Sequence, residues 1–111
     1  MIEPKASIFT KLKEINGITV YQIRPEILSI DLFPIVTFFV SSNVPEYDLK
    51  GNIGTQDIEI TIDIWGKTSQ STGVIMKSVV SKMLDLSYLC THNMDVQDPE
   101  GFSHLNLRFN F

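Results

Sequence analysis

Asp57-Ile58-Glu59-Ile60-Thr61-Ile62-Asp63-Ile64-Trp65-Gly66 is the stretch that decides how this chain folds. Four isoleucines alternate with Glu59, Thr61, Asp63 and Trp65, and strict period-two alternation over this length is the mark of a β-strand with one apolar and one polar face. The isoleucine face sets the direction of an entire sheet. Directly after Gly66, Lys67-Thr68-Ser69-Gln70-Ser71 opens a helical pattern, so strand, tight turn and covering helix form one unit.

Working outward toward the C-terminus, the helix is expected from Ser69 or Ser71, either serine serving as N-cap, to about Leu86. Met76, Val79, Val80, Met83 and Leu84 form its apolar stripe, with Lys77, Ser81 and Lys82 outside. A hairpin closes the chain, with strands at about Leu89–Val96 and Phe102–Phe111 around Asp98-Pro99-Glu100-Gly101, which carries type I turn chemistry. Toward the N-terminus, Ile35-Val36-Thr37-Phe38-Phe39-Val40-Ser41-Ser42 reads as a strand apolar on both faces, with Ile35 and Phe39 on one and Val36, Phe38 and Val40 on the other. Asn43 to Thr55, with Pro45, Gly51 and Gly54, reads as a long mobile connection. Before these lie an amphipathic helix over Pro4–Ile15, ended by Asn16-Gly17, and a short strand over Thr19–Ile23. The order is helix, three strands, helix, two strands. It predicts an α+β fold: an antiparallel sheet of about four to five strands with two α-helices packed on one face.

The 111 residues make one domain, residues 1–111, long enough to bury a core without metal or disulfide staples. With 43% apolar and 20% charged residues the composition is that of a globular protein. The single Cys90 excludes an internal disulfide, and no run approaches the ~20 apolar residues of a membrane span. The opening Met1-Ile2-Glu3-Pro4-Lys5 lacks a secretory pattern, so the chain is expected to stay in the cytosol where it is made. Net charge is −4, with Glu46, Asp48, Asp57, Glu59 and Asp63 set against Lys50 between residues 43 and 63. That balance disfavours a groove gripping nucleic-acid phosphates.

Candidates for chemistry are few. Cys90, His92 and His104 are the soft ligands, with Asp95 and Asp98 nearby. If Leu105, Leu107 and Phe109 face the core, the hairpin pairs Met94 with Leu105 and Asp95 with His104, turning Cys90 and His92 inward and His104 outward. Ligands on opposite faces cannot share an ion, so no metal is expected. No serine has recognisable His and Asp partners, and the glycines come singly, so neither a catalytic triad nor a phosphate-cradling loop is expected. Glu59 and Asp63 suit a structural or interface role better than acid–base work. Trp65 is either an aromatic lid at the strand end, packed under a loop, or, with Tyr47, a contact across a subunit boundary, where such residues are enriched. Two short helices cover one face of a sheet, so the doubly apolar strand needs either the segment Glu26–Phe33 or a neighbouring molecule on its other side.

The opening amphipathic helix, the strand begun by Phe33-Pro34-Ile35-Val36-Thr37-Phe38, the segment from Asp57 to Lys67, the helix after it and the closing Gly101-Phe102-Ser103-His104-Leu105-Asn106-Leu107-Arg108-Phe109 together resemble the tail-completion proteins of long-tailed bacteriophages, which include tail terminators and tail-to-head joining proteins. The resemblance covers nearly the whole chain. It implies a non-enzymatic homo-oligomeric ring, commonly a hexamer and monomeric in some cases until assembly, that caps the tail tube. Its partners would be the tail tube protein and a head-completion or connector protein, with DNA passing through the channel without specific binding. It needs no cofactor and no membrane, and belongs to the virion tail or neck, passing through the host cytoplasm during assembly. On this reading Glu59, Thr61, Asp63, Trp65 and Tyr47 form the subunit or partner interface. Glu46, Asp48 and Lys50 lie on a loop facing the channel, where the acids repel DNA. A neck connector of the same phage module, a generic α+β ligand-binding module and a small enzyme are the alternatives; the last two require a defined pocket with converging polar groups.

Overall fold

The computed structural model describes residues 4–22, 34–47, 49, 51, 53–97 and 101–111. The elements are α1 (Pro4–Leu12), β1 (Thr19–Tyr21), β2 (Ile35–Tyr47), β3 (Ile53–Gly66), α2 (Ser69–Asp85), β4 (Leu89–Asp95) and β5 (Ser103–Asn110). They build one five-stranded sheet in the order β1-β2-β3-β5-β4 with two helices, the α+β class expected. The sheet is mixed rather than wholly antiparallel, because β1 runs parallel to β2, pairing Thr19 with Ile35 and Tyr21 with Thr37.

The isoleucine strand is the centre of the sheet. On its apolar face Ile60 lies between Val40 and Phe109, Ile62 between Phe38 and Leu107, and Ile64 between Val36 and Leu105. All four isoleucines are completely buried and join one cluster with Ile8 and Leu12 of α1 and Ile75, Val79 and Met83 of α2. Both helices therefore lie on that face. Of the stripe read from the sequence, Val79 and Met83 are buried and Met76 and Val80 pack partly against the core, whereas Leu84 is exposed. Ile75 and Thr72 complete the buried stripe.

The helix ends are set by local hydrogen bonds. The N-cap of α2 is Thr68, neither Ser69 nor Ser71: its hydroxyl accepts from the Ser71 N–H at 3.1 Å and its φ of −135° is extended. The C-terminus closes in a Schellman motif. The Tyr88 N–H bonds to the Met83 carbonyl at 2.9 Å and the Ser87 N–H to that of Leu84 at 2.8 Å, with Ser87 left-handed at φ 70°. Helix α1 stops at Leu12, three residues before the expected Ile15, although Ile15 still packs against the core. Lys11 approaches Asp85 at 3.6 Å and Lys82 approaches Glu14 at 3.4 Å, surface pairs that join the helix ends and add little stability.

The expected connection over Asn43–Thr55 is largely strand instead. β2 continues to Tyr47 and β3 begins at Ile53, paired from Asn43↔Ile58 to Tyr47↔Ile53. Pro45 and Gly54 suggested a loop, but a ribbon edge tolerates proline, and Gly54 falls at an irregularity of the ladder. β5 leaves β3 at Glu59↔Asn110, so beyond that point β2 and β3 continue as a two-stranded arm. β3 alone, with 14 residues, spans roughly 46 Å at about 3.3 Å per residue, and the molecule measures 52 × 26 × 23 Å. Glu26–Phe33 and Asp98-Pro99-Glu100 lie outside the described residues.

Candidate assembly surface

The second face of β3 carries the residues singled out in the sequence. Trp65 lies between Ile35 and His104, Asp63 between Thr37 and Asn106, and Thr61 between Phe39 and Arg108. Ladder register thus brings an aromatic, a carboxylate and a histidine together. Asp63 Oδ1 accepts from Asn106 Nδ2 at 2.8 Å and lies 2.9 Å from His104 Nε2. The His104 ring stacks on Trp65 with centroids 4.3 Å apart and planes 20° from parallel. This end of the face is closed within the single chain: Trp65 is 3% exposed, Thr61 6%, and the neighbouring Ile35 and Thr37 are buried. Trp65 and Thr61 are packed side chains, and Asp63 holds its neighbours in place.

The lower part of the same face is open. Ser41 is an extra residue in β2, inserted between the pairs Val40↔Ile60 and Ser42↔Glu59. Such a bulge redirects a side chain, and here the Ser41 hydroxyl donates toward the carbonyl and Oε1 of Glu59, both at 3.0 Å, while accepting from Thr61 Oγ1 at 3.1 Å. Phe39 beside it is 46% exposed, and Arg108 is exposed on β5.

The hairpin register differs from expectation. A bulge between Cys90 and His92 shifts the ladder, so that Asp95 pairs with Leu105, Met94 with Asn106 and His92 with Arg108. All seven residues of β4 are exposed, including Cys90, which keeps the expected register opposite Phe109 but is not buried in the core. His92 does not turn inward; it shares the face of Arg108 and so of His104. The two histidines remain apart, because His104 is four positions along β5 from Arg108, about 13 Å on a strand. Among the described residues no three of His, Cys, Asp and Glu converge to hold a metal.

No nucleophile stands beside a free base among these groups. His104 Nε2 is engaged with Asp63, and Ser103, next in sequence but on the other face, is bonded to Thr72 Oγ1 at 2.8 Å. A wide cleft of about 490 Å³ between the start of α2 and the β4–β5 turn is walled by Lys67, Ser69, Asp95 and His104 without bringing them to one point. Among the described residues no helix is long and apolar enough to cross a membrane.

The arm is where structure adds most to the sequence reading. Glu46 and Tyr47 are in β2 rather than in a loop, and Asp48 and Lys50 lie outside the described residues. Leu49, not singled out in the sequence, is fully exposed at the arm's tip, and Val44 is 55% exposed on its side. The signal was an isolated leucine inside an acidic, proline- and glycine-marked stretch, which periodicity cannot detect.

These features define a small α+β domain with a mixed five-stranded sheet, two helices on one face and a projecting β-arm. Among solved structures, the fold matches the gp17 protein of bacteriophage SPP1, with a TM-score of 0.51 and 13% sequence identity over 96% of this chain and 87% of that one. No protein-family model matches the chain. No curated protein matches it either.

Proposed function

We infer that this chain is a structural protein of a long-tailed bacteriophage that caps the finished tail tube as a ring and joins tail to head. The observation that carries this reading is the likeness in fold, over nearly the whole of both chains, to a protein of bacteriophage SPP1. The quoted segments that resemble tail-completion proteins point the same way. So does the projecting arm, since heterologous contacts between identical copies close a ring when a protruding element on one copy meets a complementary patch on the next. In this role the chain assembles as six copies, meets the tail tube protein on one side and a head connector on the other, and lets DNA pass without gripping it, in keeping with its acidic balance. It works in the virion neck and needs no cofactor.

Deletion of its gene from the phage that encodes it tests the reading. The expected lysate contains DNA-filled heads and separate tails by electron microscopy, and addition of the purified protein restores joined particles. Intact infectious virions in the deletion lysate would overturn the assignment, and heads that lose their DNA would move the protein to the neck connector.

A further inference from the structure

Leu49 stands at the tip of an arm that no other described strand supports, with its whole side chain in water. Such exposure leaves apolar surface hydrated that burial would release. At the base of the same strand, where β1 ends at Tyr21↔Thr37, a cavity of about 240 Å³ is lined by Phe38, Phe39, Val40, Gln22 and Lys5. It is below the roughly 300 Å³ at which small-molecule pockets begin, and suits a single aliphatic side chain. Leu49 cannot fill the cavity of its own chain. β2 runs extended from Val40 to Tyr47, about 23 Å, before the chain reaches Leu49.

We propose that Leu49 at the tip of the arm seats in the Phe38–Phe39–Val40 cavity of a second copy of this chain. Knob and hole sit toward opposite ends of one ribbon, so each copy offers both halves of a head-to-tail contact. Charge favours the same pairing. Among the described residues the arm carries the exposed Asp57, and the cavity wall contributes Lys5; complementary charge of this kind steers encounter and orientation. The contact rests on the ring reading above, for which it supplies the joint.

A cysteine pair tests it. Leu49→Cys and Phe39→Cys are introduced together in a Cys90→Ser chain, which is oxidised mildly and run without reductant. A ladder of covalent multimers is expected, abolished by reductant and absent from either single-cysteine chain, which can yield at most a dimer. Circular dichroism of the double variant verifies that it is folded. Monomers alone, or dimers no larger than those of the single variants, would overturn the contact. Rings of the unaltered chain seen by native mass spectrometry without such a ladder would keep the ring and remove this joint. A ladder whose products are open filaments would keep the joint and remove the ring.

Discussion

Asp63 illustrates how a residue that looks available in sequence is committed in structure. Its Oδ1 holds His104 and Asn106, and His104 in turn stacks on Trp65, with the Asp63 and His104 side chains only 16% and 15% exposed. Asp63→Ala leaves two largely buried donors without their acceptor, and a loss of about 1–3 kcal/mol is expected. Urea unfolding followed by the fluorescence of Trp65, the single tryptophan, measures it; an unchanged midpoint would show that water replaces the carboxylate. Gly66 is bound by space instead. A Cβ there would stand 2.7 Å from Thr72 Cγ2, and Thr72 cannot yield easily, being buried and bonded to Ser103 and the Thr68 and Ser69 carbonyls. Gly66→Ala should therefore destabilise the protein by about 1–3 kcal/mol through overpacking. Gly73, inside α2 with nothing within 4 Å of an added Cβ, provides the opposite case. Gly73→Ala should raise stability by about 0.5–1 kcal/mol through helix propensity, and the two thermal midpoints should move in opposite directions.

Among the elements, α2 ends at a non-glycine residue in the left-handed region. Ser87 at φ 70° occupies the position that glycine fills without a Cβ penalty, so Ser87→Gly should stabilise the domain by about 0.5–1 kcal/mol in the same urea assay. A lower midpoint would mean that the serine hydroxyl contributes more than its backbone strain removes. The end of this helix near Leu86 was nevertheless legible in sequence, because the apolar stripe fades there. β3 was legible for a stronger reason: four alternating isoleucines admit one orientation, and every one of them is buried. The polar face was harder. Thr61 reads as surface from the alternation, yet it is covered within the chain, because period two cannot report what lies above a sheet; Trp65 is buried, as an aromatic lid packed at the strand end would be. Register was harder still. One extra residue after Cys90 exchanges the faces of His92 and Asn93, and nothing in Leu89-Cys90-Thr91-His92-Asn93-Met94-Asp95 announces a bulge. Pro45 and Gly54 misled in the other direction, since turn-forming residues also fit a ribbon with free edges.

At the scale of the molecule, core and arm separate cleanly. The buried cluster takes in β3 from Ile58 onward and no described residue of the arm beyond it, so the arm adds length without adding to the core. The arm is also the part that the sequence revealed least. The fold itself followed from one strand and its covering helices; the proposed contact surface did not, because complementarity between copies leaves no periodic trace in one chain. Assembly is therefore the property to measure. Native mass spectrometry of the purified chain, alone and with isolated bacteriophage tail tubes, tests the proposed ring most directly. A six-fold species is expected, at the latest when tubes are present. A chain that stays monomeric or dimeric with tubes in excess would contradict the account.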